Sequence, residues 1–199
     1  MQFCEDIARV SPRRRSEDLR RLTEVGELDA ALCYGGLSHE RVEGHWPLFS
    51  EDLFLVGPAK SFGARRTISF EELVDVPLTL DRRSQAIRRL VDEVAEEKNV
   101  KLTVRHETEP VDVKRVLIRR HGHFSIVPFG LFSDEIAQGT MSALRIVKPP
   151  LRRSMYLVCR KGLPTHVSAY LLKGLGRIVA AAIETGQFRW SPVKSRAPS

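Results

Sequence analysis

Four residues carry the clearest chemical hint in this chain. Arg82-Arg83-Ser84-Gln85 follow a short strand pattern, LTL, and open a helical one. Free N–H groups at a helix start, a serine hydroxyl and two guanidiniums suit an anion at the end of a sheet strand. The simpler alternative is that Ser84 caps the helix and both arginines are solvated. Other candidates point away from catalysis. His121 and His123 flank Gly122, a spacing that splits them across a helix end and does not aim both at one metal, so they read as solvated loop histidines. His39 and His45, with Glu40 and Glu43 nearby, match no zinc spacing. Glu107 and Glu109 sit at a strand end with Arg105 and Lys114 in reach, which favours a surface ion pair over a catalytic carboxylate pair. There is no GxGxxG, GxxxxGK[ST] or GxSxG, so nucleotide cradles and nucleophile elbows lack their signatures.

Whole-chain properties narrow the class. The 199 residues carry 32 Lys+Arg against 25 Asp+Glu, a formal net charge of +7, which suits an anionic partner. The basic runs Arg13-Arg14-Arg15, Arg119-Arg120 and Arg152-Arg153 belong to different segments and have no interleaved aromatics, unlike a nucleic-acid groove. Cys4, Cys33 and Cys159 form no CxxC pair, which argues against a disulfide framework or zinc site and fits a reducing cytoplasm. Glu5 and Asp6 stand where a signal peptide needs an apolar run, and no stretch reaches the ~20 apolar residues of a membrane span. The expectation is a cytoplasmic protein with no metal, no cofactor and no membrane partner.

The elements that must position these residues alternate. Ser16-Glu17-Asp18 can cap a helix that stops at Gly26, followed by the apolar run LDAALCY. EDLFLVGP has no polar face after Asp52 and should be covered on both sides. ISFEELVDVP reads as a short helix with Ser69 and Glu72 in capping-box spacing. Ile87, Leu90, Val91 and Val94 recur at helical spacing, as do Val113, Val116 and Leu117 after the strand KLTVRHE. HFSIVP and ALRIVKPP are extended, LRRSMYLVCRKG is the last strand, and Val167, Leu171, Leu175, Ile178 and Ala182 should form the buried stripe of a final helix. The tail from Gly186, GQFRWSPVKSRAPS, has no period and is expected to be mobile. Strands separated by such helices predict a mainly parallel α/β sheet. Extended segments at Val76-Pro77 and Pro149-Pro150 bracket a central block and suggest two lobes with a cleft.

The series GELDAALCYGG, WPLFSEDLFLVGP, ISFEELVDVPLTL, GHFSIVPFG and LRRSMYLVCRKG resembles the effector-binding region of LysR-type transcriptional regulators, from about Glu17 to about Ile183. The resemblance implies an α/β, two-lobed type 2 periplasmic-binding-protein-like fold, with two crossing strands, a small molecule in the cleft and no catalysis. The lobes would be 1–75 with 152–199, and 76–151. The family's N-terminal helix-turn-helix is not in this sequence, and MQFCEDIARV matches at most a remnant of a strand of the first lobe, so the expectation is an N-terminally truncated domain. The partners implied are a small-molecule effector, a second copy in a homodimer, and DNA only through the helix-turn-helix. A free-standing solute-binding protein and a non-functional truncated regulator are the alternatives; an enzyme on this scaffold would need a nucleophile–base pair that is not visible. Carried over onto strand ends facing the cleft, the effector-binding positions are Tyr34, Gly35, Arg82, Ser84, Gln85, Pro110, Val111, Val127, Pro128 and Phe129, with Cys33 and Asp81 beside them. In this reading GHFSIVPFG is an inner strand that stops at the pocket wall.

Overall fold

A computed structural model describes residues 15–35 and 44–193. Cys4, Arg13, Arg14, Gly36, His39, Glu40, Glu43 and the strand remnant MQFCEDIARV lie outside the described residues.

The longest strand organises the molecule. β2 (His45–Pro58) pairs along its first half with β8 (Arg152–Cys159), which pairs in turn with β1 (Ala30–Gly35). Along its second half β2 pairs with β6 (Ser125–Pro128) and β7 (Met141–Val147), and β7 holds β3 (Thr67–Ser69). β4 (Leu78–Leu80) and β5 (Val104–Glu107) form a separate parallel pair. Only β3 with β7 and β4 with β5 are parallel strand pairs among the described residues, so the sheet is not mainly parallel. The reason is topological: the chain leaves the first lobe on β2 and returns on β8 running the opposite way, so each strand that meets β2 is antiparallel to it.

The two lobes differ in packing. The first holds α1 (Ser16–Glu24), β1, β8, the first half of β2 and α5 (Thr165–Thr185). The second holds α2 (Ala86–Glu97), α3 (Val111–His121), the 3-10 turns Glu71–Asp75 and Phe129–Phe132, and α4 (Ser133–Ala137). Leu53, Leu55, Ile68, Phe70 and Leu73 share one buried cluster with Leu78, Leu80, Val91 and Ile126. This cluster runs across the expected boundary at 75/76, and the pairing of β2 passes from β8 to β7 and β6 within the strand.

Helix faces also depart from the apolar count. In α3, Val113 and Val116 are exposed at 43% and 45% while Lys114 and Ile118 are buried. Lys114 finds Asp81 at the end of β4, and that pairing turns the helix away from its most apolar face. In α5 the inner stripe runs through Val179, and Ile178 points outward. Glu72 does reach back to the Ser69 N–H and hydroxyl, both at 2.8 Å, as the capping-box spacing predicts. These bonds hold the Glu72 carboxyl down to about 2. The helix there is a 3-10 turn starting at Glu71.

The tail is the largest correction. Residues 188–191 are ordered against the body: β9 (Trp190–Ser191) pairs antiparallel with β2 at Ser50 and Glu51.

Candidate functional site

The site is built where N-terminal helix ends from the two lobes meet. α1 begins at Ser16 after Arg15, and α2 begins at Ala86 after Gln85; among the described residues neither start has a side-chain cap. Ser84 is therefore not the cap of α2. Its hydroxyl accepts a hydrogen bond from the Arg15 guanidinium at 3.5 Å, across the two lobes. The Arg89 guanidinium lies 3.5 Å from the Glu17 carboxylate and makes a second bridge. The Ser16 hydroxyl accepts the Tyr34 N–H at 3.0 Å, which ties the start of α1 to the end of β1. Each uncapped helix start offers free N–H groups and partial positive charge to the same region.

On the second lobe the floor is an ion network. Lys114, 3% exposed, holds the Asp81 carboxylate. Arg88, equally buried, donates to Asp92 at 2.8 Å, to Glu107 at 2.7 Å and to the Asp81 carbonyl at 3.1 Å. The expected pairing of Lys114 with the β5 acids is thus corrected: Glu107 belongs to Arg88, and Glu109 faces Arg82 at 4.0 Å. That last contact joins the β4–α2 junction to the start of α3 at Pro110 and Val111.

At the hinge, Glu51 and Arg153 face each other across β2 and β8, with 2.7 Å between Glu51 Oε1 and Arg153 Nε. The same guanidinium lies 3.6 Å from the centre of the Tyr34 ring. Burial pushes the Tyr34 hydroxyl up to about 12, so it stays protonated at neutral pH. One residue on, Asp52 pairs with Arg152 at 2.6 Å. Beside Gly35, the Arg20 guanidinium occupies the space next to the missing Cβ, and its Nε, like the Ser154 Oγ, is buried with no hydrogen-bond partner among the described residues.

The predicted residues divide. Arg82, Ser84, Gln85, Pro110 and Val111 gather at one corner of the second lobe, and Tyr34 and Gly35 reach it through Ser16 and Arg15. Val127 is 1% exposed and belongs to the core with Phe54 and Phe132; Cys33 is fully buried, with its thiol pushed up by that burial. Neither offers a surface to a ligand. Pro128 ends β6 opposite Leu53, and Phe129 packs edge-on to Phe54 with the Arg189 guanidinium 4.9 Å from its ring centre. Phe129 is thus a wall for the C-terminal segment. Sequence reasoning missed Arg15, Ser16, Glu17 and Arg89 as partners across the lobes: Ser16-Glu17-Asp18 reads as a cap, whereas the Ser16 hydroxyl accepts the Tyr34 N–H and Glu17 faces Arg89. It also missed the His123 contacts: this ring lies 3.1 Å from the Thr79 hydroxyl and 4.7 Å, centre to centre, from His106.

A cavity shares Arg88, Asp92 and Glu107 with the ion network of the second lobe. This groove of about 810 Å³ runs between α2 and β5, lined by mixed charges that include Arg83, Asp92 and His106. The described residues contain no group of three metal-type side chains and no helix long and apolar enough to cross a membrane.

This architecture is shared with known regulatory domains. The regulatory domain of CcmR from Synechocystis PCC6803, in complex with 2-PG, superposes with a TM-score of 0.66 at 16% identity, over 83% of this chain and 80% of that one. The reduced OxyR regulatory domain from Pseudomonas aeruginosa gives 0.61 at 22% identity over 83% and 80%. MetR, a LysR family regulator from N. meningitidis, gives 0.63 at 16% over 87% and 79%. None of the curated proteins matches the chain. The fold is the two-lobed α/β type 2 periplasmic-binding-protein kind. The family model for the LysR substrate binding domain matches residues 9–172, and the chain belongs to that family. It is an effector-binding domain of the LysR type.

Proposed function

We propose that the effector is a small anion held between the lobes, at the facing starts of α1 and α2. The observation that carries this reading is the approach of two uncapped helix N-termini from different lobes, with Arg15 and Arg82 beside them. Peptide N–H groups and guanidiniums suit a carboxylate or phosphate. The exposed Arg82–Glu109 contact is long and weakly held, so an anion can take the guanidinium from Glu109 at little cost. The acids within reach, Glu17 and Asp81, are engaged by Arg89 and Lys114.

Binding at that point favours the arrangement in which the two helix starts are close, because the ligand touches both lobes only there. The shift is limited by the difference in affinity between open and closed forms. In a regulator joined to a helix-turn-helix, such a shift would alter the spacing of DNA-reading modules. No nucleophile and base lie together among the described residues at this site, and binding without turnover is the reading we adopt.

A thermal-shift panel of organic acids and phosphates at fixed ionic strength tests this. At least one anion should raise the melting temperature, and Arg82→Ala with Ser84→Ala should abolish that rise. If no anion stabilises the chain, or the double variant responds like the parent, the site is wrong.

A further inference from the structure

The hinge has a third strand. β9 adds to β2 at Ser50 and Glu51, where β2 also pairs with β8 through Ser154 and Arg153. Three side chains then run from one lobe toward the other. Phe49 of β2 stacks on Trp190 at 3.8 Å between ring centres, and Trp190 stacks on Phe188 at 5.0 Å. Phe188 rests on Gly130 of the second lobe so closely that a Cβ there would lie 2.6 Å from its ring. Between the rings, Arg189 adopts the left-handed region at φ 56 and lays its guanidinium over Phe129. A non-glycine residue holds that conformation only where its surroundings impose it.

We infer that residues 188–191 are a strap that holds the two lobes at a set angle and passes that constraint to the cleft. Trp190 Nε1 donates to Glu51 Oε2 at 3.0 Å, and Glu51 is 4% exposed. The other oxygen of Glu51 holds Arg153, whose guanidinium lies on Tyr34, whose N–H in turn is bound by Ser16 at the start of α1. Each link is a direct contact, so a swing of the second lobe must either drag Phe188 off Gly130 or turn Trp190 against Glu51. The strap works on the site assigned above, and its link to effector control rests on that reading; its mechanical role does not.

Amide exchange of the ligand-free 199-residue chain, read by mass spectrometry, tests the strap. The variants are a chain ended at Gly186, Phe188→Ala, Gly130→Ala and the pair together. Ending the chain should speed exchange of segments 49–53, 84–89 and 129–132 by about tenfold while 78–80 and 104–107 keep their rates. Phe188→Ala and Gly130→Ala should each act in the same direction, the second because its methyl would push Phe188 away, and the pair should be no faster than Phe188→Ala alone, since both disrupt the same contact. Unchanged exchange in the shortened chain, an equal rise in all five segments, or additive effects of the two substitutions would overturn the inference. A failed anion panel would leave this result untouched.

Discussion

The two lobes stand on different kinds of support. The second has a dense apolar core: Leu53, Leu55, Phe70, Leu73, Leu78 and Ile146 are all fully or almost fully buried, and a second cluster around Val56, Ile118 and Phe132 lies on the far side of β2. Among the described residues the first has a smaller cluster of Ala31, Cys33 and Val158, with Leu19 and Tyr156 packed against them, and Leu22, Leu157 and Val179 are buried as well. To these it adds polar and aromatic contacts at the hinge: Glu51 with Arg153, Asp52 with Arg152, Tyr34 under Arg153, and Phe49 with Trp190. The comparison teaches that, among the described residues, the second lobe rests mainly on apolar packing while the first relies more on contacts at the hinge.

Substitutions can break that contrast. Phe70→Ala in the second lobe should cost about 3–5 kcal/mol in chemical denaturation, because it removes a fully buried ring and leaves a cavity in the core. Val158→Ala in the first lobe removes far less and should cost about 1–2 kcal/mol. Equal losses at the two sites would refute the asymmetry. Lys114→Met should cost about 3 kcal/mol by leaving Asp81 without its partner, and adding Asp81→Asn should recover part of it.

A smaller effect concerns pH. Burial, then the nearby His106, His121 and Arg105, hold His123 below its usual value. The unfolded chain then binds the proton more readily than the folded one just below pH 6.5, so stability is present above that value and falls as pH drops through it. His123→Asn should flatten the melting temperature between pH 7.5 and 5.5 by about 2 °C or less. A steeper dependence in the variant would contradict this. Smallest of all, Val116→Ser on the outer face of α3 should change stability by less than about 0.5 kcal/mol. A large loss there would restore the apolar-count face of the helix.

Much of the fold was legible because apolar runs and turn residues are local signals. EDLFLVGP reads as covered on both sides and is; SIVP reads as an inner strand and is. What was not legible depends on partners distant in sequence. Lys114 looks like a solvent residue until Asp81, 33 positions away, accounts for its burial. Val179 replaces Ile178 inside because a one-residue rotation of α5 costs little when neighbouring positions are both apolar. Phe188 and Trp190 lack any period, since two strand residues and a stack against β2 leave no pattern for periodicity to find. For the site, the strand ends put Arg82 and Ser84 at one corner of the second lobe, but chain spacing is silent on which helix start would face them.

The neighbouring acids Glu51 and Asp52 have one further consequence. They point to opposite sides of the ladder and meet Arg153 and Arg152 in the matching order. If β2 and β8 slid past each other by one residue, at most one ion pair would survive, and a carboxylate and a guanidinium would be stranded. The doublet therefore acts as a proofreading mark: the crossing strands can bend where they pass between lobes, yet they can assemble in only one alignment.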